Sequence, residues 1–88
     1  MPKKPNPEVV SAAMYDVVDN QLRDGEPPET KQTLERLMAE GHSQSEARRL
    51  IAAVVASEIF EVLKRKRPYD RARYVAALAR LPKMRWDR

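Results

Sequence analysis

Gln21 and Glu58 are the polar residues whose positions in the sequence could matter chemically. On a helical projection of about 100° per residue, Gln21 falls between Val10, Met14, Val17 and Leu22, and Glu58 between Ala47, Ile51, Val54 and Val62. Both are expected to be partly buried. A buried carboxylate must find a partner or take up a proton, so Glu58 should pair with Gln21, with an arginine or with a tyrosine hydroxyl. The pair could equally sit at the seam between two copies of the chain. A catalytic use of Glu58 would require an open pocket shared with Gln21 or Tyr15. The second cluster is basic: Lys64, Arg65, Lys66 and Arg67, followed by Arg71 and Arg73 with Tyr69 and Tyr74 interleaved. Such a run could contact phosphates and stack on bases, yet cations also gather at helix C-termini for electrostatic reasons alone.

Other chemistries lack their residues. The chain has no cysteine and one histidine, His42, too few for a zinc site and none for a thiol nucleophile. His42 is expected in an exposed loop. Ser11, Ser43, Ser45 and Ser57 have no histidine and carboxylate arrayed with them, and Gly25 and Gly41 form no phosphate-cradling loop. The sequence therefore points away from an enzyme and implies no metal or cofactor.

The elements that must position these residues are all helices. Asn6-Pro7 is a start signal, and Val10, Met14, Val17, Val18 and Leu22 make one stripe of a helix over about 7–23, ended by Asp24-Gly25. Pro27-Pro28 suits a new first turn, and Thr30, Thr33, Leu34, Leu37 and Met38 share the inward face of a second helix running to about Glu40, before Gly41. Ser43-Gln44-Ser45-Glu46 fits a capping box opening the third and longest helix. Its apolar band, Ala47, Leu50, Ile51, Val54, Val55, Ile59, Val62 and Leu63, is wide enough for more than one neighbour, which makes it the expected central element. It should fray through residues 64–67 before Pro68. Asp70 is a candidate N-cap for a fourth helix ending near Leu81, with Tyr74, Val75, Leu78 and Leu81 inward.

With 88 residues there is room for one core, and a composition 42% apolar and 34% charged is that of a globular chain. The division expected is a tail over 1–5, a single helical domain over 6–82, and a basic tail over 83–88 that stays loose unless Trp86 docks. Residues 64–88 hold ten of the 17 basic side chains and two of the 13 acidic ones, so a quarter at +8 follows a body at −4. The two could attract each other within or between chains. No apolar stretch follows Met1-Pro2-Lys3-Lys4-Pro5, so no signal peptide is expected, and Leu50 to Ser57 is too short to span a bilayer. With no disulfide possible, the cytoplasm is the expected location.

Two resemblances accompany this reading. Residues 41–49 resemble the inter-helix turn of ribbon-helix-helix DNA-binding proteins. That family reads DNA with a strand ahead of its first helix, whereas here another helix precedes the turn, and a capped helix after a glycine accounts for the same letters. More broadly, Asn6-Pro7, Asp19-Asn20-Gln21-Leu22, Pro27-Pro28, Leu34 through Gly41, Glu46-Ala47, Arg67-Pro68-Tyr69-Asp70, Tyr74 and Leu78 resemble an uncharacterised bacterial family of small helical domains of unknown function. The resemblance covers residues 6–81 and implies a helical bacterial protein without implying an activity. Relatives of that kind carry histidines where this chain has Val10, Met14 and Arg49, so any metal site they share would be lost here. The sequence thus predicts an all-α bundle of about four helices around a long third one. Its expected role is a structural or protein-interaction module that forms a homodimer, the alternative being nucleic-acid binding through the basic quarter.

Overall fold

In the computed structural model, which describes residues 12–83, four helices follow one another: α1 (Ala12–Asp24), α2 (Pro28–Ala39), α3 (Gln44–Arg65) and α4 (Arg71–Arg80). No strand occurs among the described residues. The expected start of the first helix near Pro7, the N-terminal tail and residues 84–88 with Trp86 lie outside them.

Each boundary has a local cause. Gly25 (φ 68°) closes α1 with its N–H on the Gln21 carbonyl at 2.8 Å, and Gly41 (φ 107°) follows the Glu40 cap of α2. Pro27 and Pro28 open α2 without a side-chain cap. The Ser43 hydroxyl accepts the Glu46 N–H at 3.0 Å. The reciprocal half of the capping box does not form, because Glu46 Oε1 bonds His42 Nδ1 at 2.9 Å, and His42 is half-buried rather than exposed. At the other end α3 does not fray through Arg67. It remains helical to Arg65 and is capped by Lys66 in the left-handed region (φ 54°), with the Lys66 and Arg67 N–H groups both on the Val62 carbonyl. Asp70 caps α4 through the Arg73 N–H at 3.2 Å.

The core is built around α3. Ile51, Ala52, Ala53, Val54 and Val55 are buried in succession, so this stretch is covered on all sides, and α1, α2 and α4 all pack on the helix. Val18 of α1, Leu34 and Leu37 of α2, and Tyr74 and Leu78 of α4 complete the interior, with Leu81 just beyond α4. Two expectations about burial are corrected. Met38 is exposed, since Leu37 takes the inward place in the last turn of α2 and the next residue is rotated about 100° away. The apolar band of α3 is longer than its cover: Ile59 is 38% and Leu63 72% exposed, because the other helices enclose only the earlier turns.

Candidate functional site

The uncovered end of α3 forms one wall of a pocket of about 270 Å³. Val55, Glu58, Ile59, Val62 and Leu63 follow the three- and four-residue steps of a single helix face, so they present one continuous surface. Val17 and Gln21, one turn apart on α1, form the opposite wall, and Tyr69 and Tyr74 close the end beside α4. The two tyrosine rings are tilted at 54° with centroids 6.2 Å apart. Most of this lining is apolar, with Gln21, Glu58 and the tyrosine hydroxyls as its polar groups.

Gln21 and Glu58 therefore share a pocket but do not bond each other. Glu58, buried, accepts from Arg73 Nε at 2.7 Å, so of its possible partners it takes an arginine, one from the basic cluster. Its hydrogen bonding with described residues ends there, and Oε2 has no partner among them. Gln21, half-buried, accepts two hydroxyls on the same Oε1: Thr30 at 2.7 Å and Tyr74 at 2.8 Å. One amide oxygen thus joins α1, α2 and α4. Burial pushes the Tyr74 hydroxyl up to about 12, only partly offset by its hydrogen bonds to Thr30 and Gln21. Partial burial raises Tyr69 as well.

The basic cluster is divided by the fold. Arg65 holds Glu61 at 2.6 Å, Arg71 spans Glu26 at 2.9 Å and Glu29 at 3.7 Å, and Arg73 holds Glu58. Lys64 lies over the Phe60 ring, while Lys66 and Arg67 are exposed and make no ion pair with described residues. Half of the six candidate phosphate contacts are thereby engaged with the acidic body of the same chain. Tyr15 stands outside the pocket with Arg48 stacked 4.4 Å over its ring, and Arg48 grips Asp19 through two bonds of 2.8 and 2.7 Å. That hydrogen-bonded guanidinium holds the Asp19 carboxyl below its usual range.

Several of these groups were not singled out by the sequence. Glu61 is buried beside Glu58 on the same helix, and Thr30 serves as more than a filler of the α2 face. A threonine at a wholly apolar helix position was the available signal, since its hydroxyl must be bonded if buried. Among the described residues no group of three or more His, Cys, Asp or Glu is placed to hold a metal ion, and no helix is long and apolar enough to cross a membrane. No protein-family model, curated protein or solved structure matches the chain.

Proposed function

We propose that this protein is a small helical interaction module that self-associates as a homodimer through the open end of α3. The observation that carries the reading is the ring of exposed apolar side chains around the pocket: Ile59, Leu63 and Tyr69, the last two 72% and 55% exposed. Clustered apolar exposure on a small chain favours association, and a two-fold contact lets each copy cover the other with the same patch. A cytoplasmic setting belongs to this reading, supported by a chain without cysteine. It includes no catalytic role: Glu58 is tied to Arg73, and His42 is not among the pocket residues. Nucleic-acid binding has less support, because Arg65, Arg71 and Arg73 are already committed to carboxylates.

Sedimentation velocity over a wide concentration range tests the proposal. The expected result is a concentration-dependent monomer–dimer equilibrium that Leu63→Glu shifts to monomer while the helical circular dichroism is unchanged. A wild-type chain that stays monomeric at millimolar concentration overturns it.

A further inference from the structure

The pocket has a feature that an apolar contact between two copies does not require. Its polar groups include one acceptor and one donor without a partner among the described residues. Glu58 Oε2 belongs to a side chain that is 95% buried, yet among the described residues only Oε1 has a partner. Gln21 receives two hydroxyls on Oε1, which turns the amide nitrogen away from Thr30 and Tyr74 and leaves it without a partner among the described residues. Neither atom is fully enclosed, and both residues line the apolar cavity, so a donor and an acceptor without a protein partner there describe the complement of a ligand.

The charge of that ligand follows from the surroundings. Arg73, 2.7 Å from Glu58, offsets its charge, so an ammonium group would lose its hydration against apolar walls for little attraction. An anion would meet the carboxylate directly. A neutral head that both accepts and donates fits, and a primary carboxamide does so with its carbonyl on the Gln21 amide and its N–H on Glu58. The space of about 270 Å³ lies just under the usual range for drug-sized ligands, which sets the body at a short aliphatic chain or a single ring between Val17, Val55, Ile59 and Val62. We propose that this pocket binds small neutral amphiphiles consisting of an apolar body and a carboxamide-like head, held by Gln21 and Glu58. The inference does not rest on self-association.

Hexanamide, hexanoate and hexylamine, titrated into the methyl-labelled full chain, provide the test. It is run at a protein concentration where sedimentation shows monomer, so that dimerisation and ligand binding are read separately. Saturable shifts of the Val17, Val55, Ile59 and Val62 methyls by hexanamide are expected, with a Kd on the order of 1 mM for so small a ligand. Hexanoate and hexylamine should bind at least about tenfold more weakly, a difference of about 1.4 kcal/mol. Glu58→Gln should narrow the gap between hexanamide and hexanoate, and Val62→Phe, which fills the cavity, should abolish the shifts while leaving the circular dichroism intact. Absence of saturable shifts in the wild type, equal binding of the three probes, or shifts that survive in a folded Val62→Phe variant would overturn the proposal.

Discussion

Tyr74 shows most directly what single residues contribute. Its ring is 1% exposed, and its hydroxyl ionises near 12 in the folded chain against about 10 when unfolded. A raised acid pKa means that the folded state holds the proton more tightly. The stabilisation is therefore complete below pH 10 and is lost as pH rises from about 10 to about 12, amounting to roughly 2–3 kcal/mol over that window. Tyr74→Phe should cost about 1 kcal/mol at neutral pH, from the lost hydrogen bond, and should flatten this alkaline decline in urea unfolding curves. Among these residue-scale features, the sequence put Glu58 on the apolar side of its helix, because a helical projection places each residue on a face, but its full burial was not legible. The projection gives no information about partners: Arg73 lies 15 positions away, and Tyr74 reaches Gln21 across 53. Those pairings are properties of how helices cross, which no local pattern encodes.

At the scale of elements, α3 is a helix with two unlike ends. Ser43 caps its start with a single hydrogen bond to the Glu46 N–H, so Ser43→Ala should cost about 1 kcal/mol. Its end is closed by Lys66 in a left-handed conformation that disfavours any residue with a Cβ. Lys66→Gly should therefore raise stability by about 0.5–1 kcal/mol, the relieved strain exceeding the added freedom of the unfolded chain. Both are measured as shifts in the denaturation midpoint at unchanged slope. The helices themselves were readable because Pro27-Pro28, Gly25, Gly41, Ser43 and Asp70 act locally on the backbone. The extent of burial was less so. Ile59 and Leu63 continue the same period as Leu50 and Ile51, but periodicity marks a face and cannot show where its neighbours stop. The pocket was hidden for the same reason: it is the space left where α1 and α4 no longer cover α3.

Across the described residues, the uneven charge seen in the sequence is met in part within the chain. Arg71 and Arg73 of the basic quarter meet Glu26, Glu29 and Glu58 of the acidic body. The exposed Arg71 pairs contribute little, and the largely buried Arg73–Glu58 pair spends much of its attraction on desolvation, so the apolar interior around α3 supplies most of the stability. The node at Gln21 Oε1 also separates the molecule's contacts by the length of chain they enclose. Its bond with Thr30 spans nine residues and that with Tyr74 spans 53, so the first closes at much lower entropic cost. Assembly should then proceed from an α1–α2 hairpin that acquires α4 late. Stopped-flow refolding gives the check: Thr30→Val should slow folding, Tyr74→Phe should chiefly hasten unfolding, and the reverse ranking would refute this order. A single amide oxygen thereby records a sequence in time, one hydroxyl arriving with the nucleus and the other sealing the finished bundle.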